Sequence, residues 1–131
     1  MANHKFTAEF ELRASSKMIF PYLNTPSGLA QWFADDVQVD EDKIYSFIWD
    51  NQNHKAKLAA QKLNHYVKFE FLPDPAEETN EDHPYIELRL DSNELTGTTF
   101  MKVIDYSAED EEELFDIWEN IVHTLRETVG G

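Results

Sequence analysis

The sequence predicts an α+β fold in which a curved antiparallel β-sheet wraps around one long C-terminal helix. From Glu111 to Val129 the apolar residues recur at i, i+3, i+4 and i+7, which is typical of a helix lying on a hydrophobic surface. Before this helix, apart from two short helical segments, apolar and polar residues alternate with the period of half-buried strands. We therefore expect about six to seven strands, with the two short helices following the first strand.

The N-terminal region is expected to supply the first strand and both short helices. Phe6–Leu12 places apolar residues on one face and polar residues on the other, as a half-buried strand does. Ser15 is the expected N-cap of a short helix that ends at Asn24. Thr25 followed by Pro26 predicts a second helix, with an N-cap and a proline at its first position.

The middle of the chain is expected to form strands connected by hairpins. The expected strands are Val37–Val39, Lys43–Trp49, Lys55–Leu63, Tyr66–Leu72, Tyr85–Leu90 and Leu95–Tyr106. The expected turns are Asp50–Asn53, Asn64–His65 and Asp91–Glu94. The acidic segment Asp74–Asp82 is flanked by prolines and is expected to be an exposed loop. Hairpin connections make neighbouring strands antiparallel, and we expect the first strand to pair with the last.

Both ends of the long helix carry sequence signals. Ser107, with Asp110 three residues later, predicts a capping box at the start of the helix. The acidic run Glu109–Glu113 falls in or near the first turn, where the helix dipole stabilises negative charge. Gly130 is the expected stop.

The composition indicates one folded domain over residues 1–131. Nine Phe, five Tyr and three Trp make a disordered chain unexpected. The absence of cysteine excludes disulfides, thiolate metal sites and cysteine nucleophiles, and it fits a reducing compartment. No apolar stretch has the character of a signal peptide or the length of a membrane span. We expect a cytoplasmic monomer without integral membrane association.

The formal net charge is −15, with 26 acidic and 11 basic residues. Such a surface repels phosphate backbones and anionic membranes, so nucleic acid is not an expected partner. The charge is typical of a solvated surface. A basic protein partner is the alternative, and its binding would depend on salt concentration.

Three segments of the chain resemble a known family. They are "FPYLNTPSGLAQWFADDV" (Phe20 to Val37), "YSFIWD" (Tyr45 to Asp50) and "TTFMKVIDYSAEDEEELFDIWENIVHTLRETVGG" at the C-terminus. Together with the strand order they resemble the START-like (SRPBCC, Bet v 1-like) superfamily, and within it the Aha-type branch, named for activators of a heat-shock-protein ATPase. The resemblance implies a helix-grip fold. Members bind lipids, sterols or plant hormones, catalyse cyclisations or hydrolyses, or act as co-chaperones.

The polar residues do not predict a catalytic group, a metal site or a cofactor. The histidines lack metal-ligand spacing and are expected at the surface: His4, His54, His65, His83 and His123. The acidic cluster from Asp35 to Asp42 lacks the pattern of a calcium loop. Nucleophile motifs and phosphate-binding glycine loops are absent from the sequence, although a Ser–His–Asp set assembled in space stays open.

Apolar residues at inward strand positions and on the buried helix face are candidate walls of a ligand cavity. These candidates are Trp32, Phe33, Tyr45, Phe47, Trp49, Phe69, Phe71, Leu88, Leu90, Met101, Trp118, Ile121, Val122 and Leu125. The same residues could instead form a packed core, as such stripes usually do. Tyr45 and Tyr85 are the expected polar groups of the cavity, whereas alternation places Arg89 on the solvent side.

Three functions follow, in descending order of expectation. The first is non-enzymatic binding of a small hydrophobic ligand, a lipid or an aromatic metabolite, between the sheet and the long helix. The second is a protein-interaction or co-chaperone-like role of the acidic surface. The third is a cyclase or hydrolase, which would need a titratable cavity residue with a displaced pKa.

Overall fold

The computed structural model describes residues 3–72 and 83–130. The strands are β1 (His4–Leu12), β2 (Asp36–Val39), β3 (Ile44–Trp49), β4 (Gln52–Lys62), β5 (Tyr66–Phe71), β6 (Tyr85–Asn93) and β7 (Thr98–Ser107). The helices are α1 (Ser16–Ile19), α2 (Pro21–Asn24), α3 (Pro26–Leu29) and α4 (Glu111–Val129). These strands form one curved antiparallel sheet in the order β1-β7-β6-β5-β4-β3-β2, so the predicted α+β fold and the pairing of the first with the last strand are confirmed.

The short helices after β1 number three in the described residues, because Pro21 divides the first predicted helix into α1 and α2. Proline has no N–H with which to continue the helical hydrogen bonds, and it suits the first position of a new helix. Both predicted N-caps are confirmed. The Ser15 hydroxyl accepts from the Met18 N–H at 3.1 Å, and the Thr25 hydroxyl accepts from the Gly28 N–H at 3.0 Å.

The hairpins follow the predicted order, with differences at two turns. Asp50 and Asn51 both have positive φ angles, as the tight turn of a two-residue hairpin requires, so β4 begins earlier than expected, at Gln52. The turn predicted at Asp91–Glu94 is wrong, because β6 stays paired with β7 through Asn93. The predicted loop Asp74–Asp82 lies outside the described residues.

Helix α4 has the predicted bounds, and its C-terminus has the predicted glycine stop. Gly130 adopts the left-handed conformation at φ 94° and closes the last turn onto the Arg126 carbonyl. The predicted capping box is wrong because β7 extends through Ser107 and the N-cap is Asp110, whose side chain makes no capping hydrogen bond. Three glutamates in the first turn still place negative charge at the positive end of the helix dipole.

The core lies between the inner face of the sheet and the buried stripe of α4. That stripe consists of Leu114, Trp118, Val122 and Leu125. The Arg126 side chain also donates a hydrogen bond of 2.9 Å from its Nε to the Glu11 carbonyl, which ties the end of the helix to β1. Within the described ranges, no helix has both the length and the apolar character needed to cross a bilayer.

Candidate functional site

A groove of about 800 Å³ opens between α4, the segment that follows α3 and one part of the inner sheet face. Its lining comes from three parts of the fold. They are the segment Ala30, Gln31, Trp32, Phe33, Ala34 and Asp35; the sheet residues Trp49, His54, Phe71, Ile86, Asp105 and Ser107, with Glu109 beyond β7; and the helix residues Leu114, Ile117, Trp118, Ile121 and Thr124. The helix thus forms one wall, and Trp32, Phe33, Trp49 and Phe71 contribute large aromatic side chains to the other.

The structure divides the predicted cavity residues into two groups. Six of them line the groove: Trp32, Phe33, Trp49, Phe71, Trp118 and Ile121. The others are buried in the core away from it: Tyr45, Phe47, Phe69, Leu88, Leu90, Met101, Val122 and Leu125. The strand residues among them share the inner face of the sheet, and within the described residues the helices that pack over this face leave the groove open beside the first group.

Phe33 is the centre of the aromatic wall. Its ring centroid lies 5.5 Å from that of Trp32, 5.2 Å from Trp49 and 5.8 Å from Trp118. It also meets Phe47 edge to face at 5.0 Å, so the groove wall is continuous with the packed core. Such ring pairs lie within the distance range in which aromatic side chains attract each other.

All three tryptophans of the chain line the groove, and each indole N–H is hydrogen bonded. Their acceptors are the Tyr22 carbonyl for Trp32 (2.8 Å), the Phe33 carbonyl for Trp49 (2.7 Å) and the Asp105 Oδ2 for Trp118 (2.9 Å). These bonds fix the orientation of the rings. The wall is therefore built before any ligand arrives, which lowers the entropic cost of binding.

The two tyrosines expected as polar groups of the cavity, Tyr45 and Tyr85, are not among the residues that line the groove. The Tyr45 hydroxyl donates to the Asn24 carbonyl at 2.8 Å, and burial raises its pKa. The prediction for Tyr85 is wrong, because it precedes the inward-facing Ile86 and lies on the outer face, where its ring stacks on Tyr106. Arg89 faces solvent as predicted.

Asp105 is the functional candidate that the sequence analysis missed. It lies on β7 at the same inward parity as Met101 and Val103, lines the groove, and is only 6% exposed. Burial raises the pKa of its carboxyl group, against the opposing effect of hydrogen bonds from the Trp118 indole and the Ser107 side chain. The signal was present in the sequence, since an aspartate at an inward position of an apolar strand is unusual. The enzymatic hypothesis requires a titratable residue with a displaced pKa in the cavity, and Asp105 is such a residue.

Replacing Asp105 with asparagine is expected to change the pH dependence of stability in a definite direction. A folded-state pKa above the unfolded value means that the folded protein binds the proton more tightly, so stability falls as the pH rises from the unfolded to the folded pKa. Asparagine still accepts from Trp118 and does not ionise. The free energy of unfolding of Asp105→Asn minus that of the parent protein should therefore increase as the pH rises from about 4.

Chemical denaturation of both proteins across a pH series measures this difference. The charge of nearby Glu109 also raises the pKa of Asp105, and that of His4 lowers it. Variants of Glu109 and of His4, made one at a time, control for these two contributions. A difference between the two unfolding free energies that is constant with pH, or that moves the other way, would contradict a raised pKa.

The charged and titratable groups around the groove are almost all acidic. Among the described residues, Asp35, Asp105 and Glu109 line it together with His54, and no lysine or arginine does. In the part of the chain that the structure describes, no group of three or more His, Asp or Glu residues is arranged to hold a metal ion.

Comparison with known proteins shows what the chain is related to. The family model of the START-like superfamily domain matches residues 1–131. A protein from Bacteroides fragilis solved by NMR is 31% identical, with a TM-score of 0.62 over 100% of this chain and 94% of that chain. No curated protein matches the sequence.

Two further solved structures share the fold at lower identity. The Aha1 dimer from Colwellia psychrerythraea is 16% identical, with a TM-score of 0.77 over 96% of each chain. DynU16, from the dynemicin biosynthetic locus, is 13% identical, with a TM-score of 0.74 over 95% of this chain and 46% of that chain. With a family model that matches its whole length, this chain belongs to the START-like superfamily.

Proposed function

We propose that the protein binds a small hydrophobic molecule in the groove between α4 and the sheet. The observation that carries the proposal is a groove of about 800 Å³ with a preformed aromatic wall. Ligand sites in proteins typically occupy about 300–1,000 Å³ and combine apolar walls with a few polar groups. The three indole rings are held by hydrogen bonds to the protein itself, so ligand binding need not order them.

The superfamily supports this proposal at the level of fold. As the resemblance implied, START-like members include proteins that bind lipids, sterols or plant hormones. A cavity between the sheet and the long helix is the part of the fold that can hold such molecules. The groove described here occupies that position, and its lining is dominated by aromatic and aliphatic side chains.

Truncating a groove residue should weaken ligand binding without unfolding the protein. Ile121 lines the groove from α4, and Ile121→Ala removes apolar contact area worth about 1–2 kcal/mol, or roughly tenfold in affinity. Phe115→Ala is the matched control, because Phe115 lies on the same helix, is 47% exposed and does not line the groove. Isothermal titration with neutral naphthyl alcohols measures both affinities.

Two results would count against the proposal. Equal affinities for Ile121→Ala and the parent protein would place the ligand elsewhere. The absence of saturable binding across neutral aromatic and aliphatic probes would remove the ligand-binding function itself.

A second function is favoured by the outer face of α4. Phe115 is 47% exposed there, and the acidic residues Glu111, Glu112 and Glu119 lie one helical turn from it. An exposed aromatic side chain bordered by negative charge suits a basic protein partner, consistent with the net charge of −15. Binding to such a partner should weaken as salt rises and should be lost in Phe115→Ala, which leaves the groove intact.

A further inference from the structure

We propose that the ligand of the groove is an organic cation, an amine or ammonium group on an apolar body, and that Asp105 is its counter-ion. This inference rests on the proposed ligand-binding function and names the chemical class of the ligand. It also separates this site from a fatty-acid or other carboxylate site, which the size and apolar lining of the groove would equally allow.

The charged residues that line the groove favour a cation. Three carboxylates, Asp35, Asp105 and Glu109, line it, and the lining residues that the structure describes include no lysine or arginine. The negative charge of the whole chain adds to the same potential. An anionic amphiphile would therefore enter against repulsion and find no lysine or arginine among the described lining residues, whereas a cation is attracted.

Asp105 is placed to pair with a cation in the groove. It lines the groove with a buried side chain, and Oδ2 accepts the Trp118 indole N–H at 2.9 Å. Ser107 contributes one more hydrogen bond. A carboxylate offers about four acceptor positions, so these two donors leave capacity for a ligand N–H. A buried carboxylate is costly without an opposite charge, and an ammonium group in the groove would supply one.

The aromatic side chains of the groove also favour a cation. Five aromatic rings line the groove: Trp32, Phe33, Trp49, Phe71 and Trp118. The faces of aromatic rings attract cations, most strongly for tryptophan, and aromatic cages are a common means of binding ammonium groups. Asp105 accepts the indole N–H at the edge of Trp118, so the carboxylate and the aromatic side chains belong to the same groove.

The test compares three ligands that share one apolar body: naphthylethylamine, naphthylethanol and naphthylacetate. We expect the amine to bind most tightly and the carboxylate most weakly, with at least about tenfold between them, the factor that one charge-assisted hydrogen bond supplies. In Asp105→Asn the affinity for the amine should fall by about the same factor, while the affinity for the alcohol changes little. Asp116→Asn is the matched control, since it removes the same charge from an exposed position of α4 outside the groove lining.

A measurement on the parent protein covers the case in which Asp105→Asn does not fold. The carboxyl-carbon NMR resonance of Asp105 should shift when the amine is added and stay in place when the alcohol is added. Binding of the alcohol with an amine no tighter than the carboxylate would overturn the cation inference and leave the proposed function standing. A failure of all three molecules to bind would instead overturn the proposed function.

Discussion

Replacing Trp118 with alanine is expected to lower the free energy of unfolding by about 3–5 kcal/mol, the usual cost of removing a large buried aromatic side chain. Trp118 is 2% exposed and packs against Phe33 from the middle of α4. The truncation also removes the N–H that hydrogen bonds Asp105 and leaves a buried carboxylate with one donor fewer. The change therefore combines a cavity with the loss of a polar partner.

Trp118→Phe separates these two effects. Phenylalanine keeps much of the aromatic volume but cannot donate to Asp105, so the loss should be smaller, about 1–3 kcal/mol. Urea denaturation of both variants measures the difference. A loss below about 1 kcal/mol in Trp118→Ala would contradict the packing described here, because a side chain so deeply buried cannot be removed at that cost.

Replacing Phe47 with alanine is expected to have a similarly large effect on stability, about 3–5 kcal/mol, and to reach the groove only through the lining residues that its ring packs against. Phe47 is fully buried, does not line the groove, and lies at the centre of the aromatic core. Its ring neighbours are Phe33, Tyr45, Trp49, Phe69 and Phe71.

Phe71→Ala should cost less in stability, because Phe71 is only partly buried, but it should weaken ligand binding.

Denaturation and ligand titration of the two phenylalanine variants together test the division between core and groove. The expected pattern is a large stability loss in Phe47→Ala and a large affinity loss in Phe71→Ala. The reverse pattern would show that the groove lies deeper in the sheet than the structure places it.

Much of the fold was predictable because local patterns carry it. The spacing of apolar residues in α4 and the alternation in β1 identify their buried faces without reference to the rest of the chain. The caps at Ser15, Thr25 and Gly130 were predictable for the same reason, since a cap depends on a few neighbouring residues. The failure of the capping box predicted at Ser107 could not be read from neighbouring residues, because it results from the pairing with β1 that extends β7 through Ser107.

The candidate site was predictable only in part. Alternation shows that Phe47 and Phe71 both point inward, but the packing of the helices decides that one is core and the other lines a groove. Asp105 belongs to no catalytic or binding motif, so motifs do not identify it. A polar residue at a buried strand position carries no motif, and its significance depends on Trp118 of α4, which the chain brings to it only on folding.

The most direct test of the ligand-binding groove uses the three indole N–H groups, which give separate signals in a proton–nitrogen NMR spectrum. Trp32, Trp49 and Trp118 all line the groove. Titration with naphthylethanol should therefore shift the three signals together and to saturation, while the amides of Ser16 and His65, outside the groove lining, stay in place. Indole signals that do not move at ligand concentrations that saturate binding, or shifts confined to other surfaces, would contradict a ligand site in this groove.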